Sequence, residues 1–142
     1  MTGHDPRGAA VAELEGEHAR MLLLVQQARV ALVDGDVAAA RAALDALAML
    51  HAQHAAREER DLLPRIGEDA RWQAKVYLAE HRKLEQLGDA LRERLAAHPS
   101  HVEDRVLRLA LIDAHHPLQH LMEHHFAREE QGVFVECLDP DA

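Results

Sequence analysis

The sequence predicts an all-α protein folded as an antiparallel up-down-up-down four-helix bundle. Helix-forming residues such as Ala, Leu, Glu and Arg dominate a composition that is 48% hydrophobic and 29% charged. Aromatic residues, which are enriched in β-sheets, make up only 3% of the chain. Apolar residues recur at intervals of three and four along four long segments joined by short breaks, as expected for antiparallel helices around one core. The length of 142 residues fits a single domain that spans residues 1–142.

Capping and turn residues bound the first two helices. Helix 1 is predicted to begin at Asp5 and Pro6, since aspartate is a favoured N-cap and proline is favoured at the first helical position. The Asp-Gly-Asp sequence at residues 34–36 predicts a tight turn, and its last residue, Asp36, can cap helix 2. Helix 2 is then expected to run to the low sixties, where Pro64 ends it.

The last two helices have similar signals. Helix 3 is predicted to begin near Asp69 and to end at the break formed by His98 and Pro99. Ser100 is expected to open helix 4, because Glu103 follows three residues later and completes a capping-box pattern. This last helix is expected to reach the mid-130s.

Pro117 lies inside helix 4 and removes one backbone hydrogen bond, so a kink or a break is expected near residues 114–117. From Ser100 to His125, helix 4 is about seven residues longer than helix 3 from His81 to Pro99, which is roughly 10 Å of helix. An overhang, a short separate helix or the break at Pro117 would absorb this surplus. We favour the break.

Composition also excludes several kinds of partner and site. The net charge is −9 and no basic block is interleaved with aromatics, so neither nucleic acid nor an anionic membrane is an expected partner. The single cysteine, Cys137, excludes an intramolecular disulfide and a cysteine-based zinc or iron–sulfur site. The sequence shows neither a signal-peptide pattern nor a run of 18 apolar residues, so we expect a cytoplasmic protein.

A repeated motif carries the candidate chemistry. Residues 50–59 and 121–130 share the pattern L-x-x-x-H-x-A-R-E-E, in which a histidine and a glutamate four residues apart lie on one helix face. The other two helices carry a shorter match, a Glu-His pair at residues 17–18 and 80–81. This order predicts an approximate two-fold axis in the core. The polar residues that fall in the apolar, inward-facing stripes are His18, His54, Glu58, His81, His125 and Glu129.

Two glutamates in apolar stripes need a compensating charge, because burying each alone costs several kcal/mol. No Lys or Arg lies in those stripes, whereas a metal ion between facing helices would supply the charge. Four imidazoles and two carboxylates form the donor set of a dinuclear centre, with two histidines on each ion and Glu58 and Glu129 bridging. One added oxide or hydroxide bridge leaves each ion five-coordinate with an open position. Nitrogen and oxygen ligands without thiolate suit iron, manganese or zinc.

The pattern H…H-x3-E…H…H-x3-E in a four-helix bundle resembles the hemerythrin-like group, the HHE cation-binding domains, over nearly the whole chain. The resemblance implies a hemerythrin-like fold and a non-haem di-iron centre, held by the six residues above with an oxo or hydroxo bridge. It favours iron over manganese or zinc. It also implies that O2, NO or peroxide binds at one iron, in oxygen, redox or nitrosative stress handling or in sensing.

The sequence departs from the oxygen-carrying hemerythrins on the third helix. Those proteins have two histidines four residues apart there, whereas this chain has His81 alone, with Tyr77 one turn before it. Tyr77 could be a phenolate ligand, a hydrogen-bonding neighbour of the ligands, or a core residue. His51, one turn before the ligand level, is a further candidate neighbour. The last carboxylate, Glu129, also follows its histidine by four residues instead of the carriers' five.

The other polar residues near the motif have simpler interpretations. Glu59 and Glu130 are predicted to be outward or rim charges, with Arg57 and Arg128 as their partners. A solvated helix face is predicted for the row His116, His120 and His124.

Three functions are compatible with such a site. The first is a module that binds or senses a small ligand, the second a di-iron enzyme that reduces peroxide, and the third a metal-buffering or zinc-loaded bundle without redox activity. The sequence does not decide whether the protein is an enzyme, what donates electrons, or whether the bundle forms a homodimer.

Overall fold

Four long helices packed as a bundle account for most of the structure, a computed structural model that describes residues 6–138. They are α1 (Pro6–Val33), α2 (Val37–Asp61), α3 (Ala74–Ala96) and α4 (Arg105–Gln131). A single 3-10 turn, Leu63–Arg65, follows α2, and a short helix, α5 (Val133–Leu138), follows α4. Each long helix packs against its sequence neighbours, and α4 closes the ring against α1. The predicted all-α four-helix bundle is confirmed.

The turn between α1 and α2 forms as its sequence predicts. Gly35 has a φ of +71°, the left-handed conformation that glycine adopts without strain. Asp36 caps α2, with its Oδ1 accepting a hydrogen bond of 2.9 Å from the backbone N–H of Ala39. Helix α1 begins at Pro6, while the predicted cap residue, Asp5, lies outside the described residues.

The predicted starts of the third and fourth helices are wrong. Helix α3 begins at Ala74 instead of near Asp69. Helix α4 begins at Arg105 instead of Ser100, and its cap is Asp104, which accepts from the backbone N–H groups of the second and third residues of the helix at 2.8 and 3.1 Å.

The late start of α4 follows from a long-range pairing. The chain before α4 crosses the α1–α2 turn, where the Val102 N–H donates to the Gly35 carbonyl at 2.9 Å and the Ala38 N–H donates to the Ser100 carbonyl at 3.0 Å. Residues 100–104 are therefore non-helical and absorb most of the predicted surplus. Helix α4 continues through Pro117, so the expected break is wrong and the kink alternative is the one compatible with a continuous helix.

Two hydrophobic clusters lie at different levels of the bundle. The main core occupies the larger part, from Met21 on α1 to Phe126 on α4. The end cluster is formed between α5 and the end of the bundle. Its buried residues are Val11, Leu14, Leu62, Leu63, Tyr77, Val133, Phe134 and Cys137. On α1, α2 and α3 the predicted ligand positions fall between residues of these two clusters, and on α4 they lie in the last two turns, before the end-cluster residues of α5. The bundle thus holds a polar layer between two apolar ones. No helix within residues 6–138 is long and apolar enough to cross a membrane.

Candidate metal centre

The structure brings the six predicted ligand residues into one layer, where each is at most 4% exposed. They form two quartets that share two carboxylates, and within each quartet the candidate ligand atoms lie within 4.8 Å of one another. The first quartet is His18, His54, Glu58 and Glu129, and the second is Glu58, His81, His125 and Glu129.

Glu58 faces both quartets because its two oxygens point in different directions. Its Oε2 lies 3.2 Å from His54 Nε2 on the same helix, and its Oε1 lies 3.0 Å from His81 Nε2 on α3. His54 and Glu58 share a face of α2 because they are four residues apart. A carboxylate with one oxygen toward each set of imidazoles has the arrangement of a bridging ligand.

Glu129 repeats this arrangement from the opposite side. Its Oε1 lies 2.8 Å from His18 Nε2, and its Oε2 lies 3.1 Å from His125 Nε2. Aromatic rings close this side of the layer, since Phe126 stacks on His18 at a centroid distance of 3.9 Å and Phe134 lies 5.2 Å from the same ring. These rings exclude water from the His18 side.

Every histidine of the layer also donates its Nδ1–H to a second glutamate, and each of these glutamates comes from the preceding helix in the ring. The contacts are Glu17 with His54, Glu59 with His81, Glu80 with His125 and Glu130 with His18, at 2.7 or 2.8 Å. We call these four glutamates the outer carboxylates. They hold Nδ1 as the donor and leave Nε2 facing the centre, an arrangement common around protein metal sites.

The predicted pairing of Glu59 and Glu130 with Arg57 and Arg128 is wrong. Glu59 and Glu130 lie at the seam with the next helix, where an imidazole N–H offers a closer donor. The arginines bind the other two outer carboxylates, and their contacts are Arg57 with Glu17 at 3.2 Å and Arg128 with Glu80 at 3.1 Å. The repeated Glu-His pairs at residues 17–18 and 80–81 are the sequence signal for the outer carboxylates Glu17 and Glu80.

Burial and close contacts shift the ionisation of the layer. Burial raises the pKa of Glu58, and the charge of Glu129 raises it further. Burial acts in the same direction on Glu129, but the close contacts of its carboxylate with His125 and the other histidines hold its pKa well below its usual value. Burial opposes the charged form of His54 and His81, yet the closeness of the two shared carboxylates outweighs it and raises each pKa to about 10.

The centre of the layer fits a metal cation. Three buried atoms there, His54 Nε2, His125 Nε2 and Glu58 Oε2, have no hydrogen-bond partner among the described residues. Unpartnered buried polar atoms are costly, and coordination to a cation would satisfy all three. The donors are imidazole nitrogens and carboxylate oxygens, a set that suits iron, manganese or zinc.

Tyr77 is buried in the end cluster and is absent from both quartets. Its hydroxyl oxygen accepts a hydrogen bond of 3.1 Å from the backbone N–H of Val133. Burial raises the pKa of Tyr77 to about 12, which disfavours a phenolate. Among the three roles considered for this residue, these contacts favour core packing.

His51 lies edge-on to His81, with ring centroids 5.9 Å apart, and is 8% exposed. Its Nε2 has no hydrogen-bond partner within residues 6–138. Burial and the charges of the neighbouring histidines lower the pKa of His51 to about 4, so the ring is neutral at pH 7.

One buried histidine was overlooked. His115 on α4 is fully buried in the main core, and its Nε2 lies 2.8 Å from the carbonyl oxygen of Val25. Its place in the apolar stripe between Leu111 and Leu118 was the signal. The predicted solvated row on the same helix is exposed: His116, His120 and His124.

Comparison with known families finds a match for the first part of the chain. A family model described as the hemerythrin HHE cation-binding domain matches residues 1–66, which include His18, His54 and Glu58. The predicted resemblance is confirmed over that range, where the chain is similar to the hemerythrin HHE cation-binding domain, and its His/Glu cluster could hold metal. No curated protein and no solved structure matches the chain. For residues 67–142, the likeness rests on the repeated motif and on the second quartet.

Proposed function

We propose that the protein is a non-haem di-iron protein that binds O2, NO or peroxide, with residues 1–142 as its single domain. One iron would be held by His18 and His54, the other by His81 and His125, with both shared glutamates and an oxo or hydroxo group as bridges. The observation that carries this proposal is the pair of quartets that share both carboxylates. A pair of adjacent cations is the arrangement that uses every donor of the layer.

The residues of the layer prepare the ligand atoms. Each outer carboxylate accepts the Nδ1–H of one histidine, which leaves the Nε2 lone pair free to coordinate. Four neutral imidazoles and two carboxylates also leave more positive charge on the metals than a carboxylate-rich set would. When bound, the iron pair supplies redox-active Lewis acids with an open position for a small ligand. The apolar clusters above and below the layer keep bulk water away from it along the bundle axis.

Metal analysis tests the proposal. We expect about two irons per chain after anaerobic loading with ferrous iron, and near-ultraviolet oxo-bridged di-iron bands after exposure to air. Glu129→Gln should lose both irons because both quartets use Glu129. Glu123→Gln, on an exposed position of the same helix, is the matched control and should load normally. A folded, colourless protein that holds only zinc would overturn the proposal.

The ligand class is tested on the reduced, iron-loaded protein. A reversible spectral change with O2 or NO supports a binding module for stress handling or sensing. Sustained consumption of peroxide in the presence of a reductant supports the alternative, a peroxide-reducing enzyme. If none of the three ligands changes the spectrum of the loaded protein, the binding function is wrong.

A further inference from the structure

A cavity of about 480 Å³ lies between α2 and α3, beside the candidate metal layer. Its apolar wall includes Leu47, Leu118 and Met122, and its inner end includes His51 and His81. The α2–α3 pair also packs less extensively than the other three neighbouring helix pairs. The cavity therefore leads from the surface to the His81 side of the layer.

Small residues keep this cavity open. Ala48 and Ala52 on α2 and Gly88 on α3 line it, where larger side chains would bring the helices' surfaces together. A Cβ added at Gly88 would meet no heavy atom within 4 Å. Gly88 costs helix stability because glycine is a poor helix former, and a larger residue would fit there without a clash.

The cavity is larger than the ligands of the proposed function require. Water occupies about 30 Å³, and diatomic molecules and hydrogen peroxide are of comparable size. A volume of 480 Å³ instead falls within the range of about 300–1,000 Å³ that is typical of pockets for small organic molecules. Such pockets combine an apolar lining with a few well-placed polar groups.

Among the lining residues, which also include charged side chains such as Arg82, Glu85 and Arg92, His51 is the buried polar one that lacks a partner. More than nine-tenths of its surface is buried, it lines the cavity, and its Nε2 has no hydrogen-bond partner in the described part of the chain. A buried imidazole nitrogen without a partner is unfavourable. The Nε2 atom has almost no accessible surface in the unliganded chain, so the imidazole must turn slightly toward the cavity for a hydroxyl group of a bound molecule to satisfy it.

We propose that the α2–α3 cavity binds a small organic molecule with an apolar body and one O–H group, an alcohol or an alkyl hydroperoxide, with the O–H group bonded to His51 Nε2. The apolar body lies against Leu47, Leu118 and Met122. Binding itself needs no metal. The proposal deepens the proposed function, on which it rests only for the statement that the O–H group is held beside the His81 iron.

Binding is measured on the metal-free protein by NMR titration with two probes of equal size, cyclohexanol and methylcyclohexane. Cyclohexanol should shift the amide signals of α2 and α3. His51→Phe should weaken cyclohexanol about tenfold, since it removes one hydrogen bond, and should leave methylcyclohexane unchanged. Equal effects of His51→Phe on both probes would overturn the role of His51.

Filling the cavity gives the second arm of the test. Gly88→Leu should weaken both probes at least tenfold. Gly16→Leu is the matched control on α1, since a Cβ at Gly16 also meets no heavy atom within 4 Å, and it should bind normally. Ala52→Leu fills the cavity from α2 and serves if Gly88→Leu does not fold. Absence of binding to the folded native chain, or equal effects of the Gly88 and Gly16 variants, would overturn the proposal.

The result is independent of the di-iron proposal because the probes are read without metal. A chain that binds cyclohexanol but takes up no iron would retain the cavity proposal and lose the proposed function. A chain that takes up two irons but binds neither probe would support the proposed function and overturn the cavity proposal.

Discussion

The outer carboxylates fall into two kinds that differ in solvent exposure. Glu17 and Glu80 are backed by arginines, and their side chains are only 16% and 15% exposed. Glu59 and Glu130 have side chains that are 42% and 45% exposed. Each quartet has one histidine held by each kind. The buried kind has less access to water, so its charge acts more strongly on the imidazole that it holds.

Glu17→Gln is therefore expected to lower iron affinity about tenfold, because it removes the charge behind His54. Glu130→Gln should have a smaller effect, since water can replace the exposed carboxylate at His18. Glu13→Gln is the control, because Glu13 also binds Arg57 but no described contact joins it to a histidine. Competition with a chelator of known affinity measures the difference. Equal affinities for the Glu17 and Glu13 variants would contradict this role.

Some residues of the candidate site could be predicted from the sequence and others could not. The positions of His54 and Glu58 follow from a helical repeat of four residues and an apolar stripe, both visible in the sequence. Glu59 and Glu130 were misassigned because their contacts cross to another helix. The partner of a residue at a boundary between two helices depends on how the helices pack. The pattern of charges along one helix does not predict that partner.

Among the elements, α5 closes the bundle end above the metal layer. Gly132 makes the close turn before it, since a Cβ there would overlap the hydroxyl of Tyr77 and lie 2.8 Å from Trp72 Cε3. The Tyr77 hydroxyl then accepts from the first N–H of α5. Tyr77 thus fixes the short helix on the bundle.

Tyr77→Phe should lower the free energy of unfolding by about 1–2 kcal/mol, because the buried N–H of Val133 loses its acceptor. Urea denaturation measures this loss, with Val135→Ala at an exposed position of α5 as control. The spectrum of the iron-loaded variant should be unchanged. Loss of a visible charge-transfer band would show instead that the phenolate binds iron.

Element boundaries were predictable where their signals were local. The α1–α2 turn and the Asp36 cap depend on residues adjacent in sequence, and both formed as predicted. The start of α4 differs from the prediction because Val102 and Ser100 pair with a turn some 65 residues earlier. A capping-box sequence such as that at Ser100 does not start a helix when the backbone groups of that segment already make hydrogen bonds to another part of the chain.

For the whole molecule, the metal-free chain should be most stable near pH 6.5. The pKa of His54 and of His81 is about 10 in the folded chain against an ordinary value of 6.5, so the folded state binds more protons in this interval. Their stabilisation is complete below pH 6.5 and is lost as the pH rises toward 10. His51, with a pKa of about 4, acts oppositely, and stability rises as the pH rises from 4 to 6.5.

We expect the free energy of unfolding of the metal-free protein to fall by at least about 1 kcal/mol between pH 7 and pH 9.5. Urea titrations at the two pH values measure it. Iron affinity should change in the opposite direction, because metal and protons compete for the same Nε2 atoms. Stability of the metal-free chain that is constant or rising over this interval would contradict the assignment.

The shared carboxylates have a mechanical consequence. The α1–α2 hairpin supplies three residues of the first quartet and receives Glu129, while the α3–α4 hairpin supplies three of the second and receives Glu58. Two bound cations would thus clamp the hairpins to each other independently of the peptide chain between them. If a protease cut the connection between α2 and α3, the metal would add to the apolar core that still joins the two fragments, and a chelator should weaken their association.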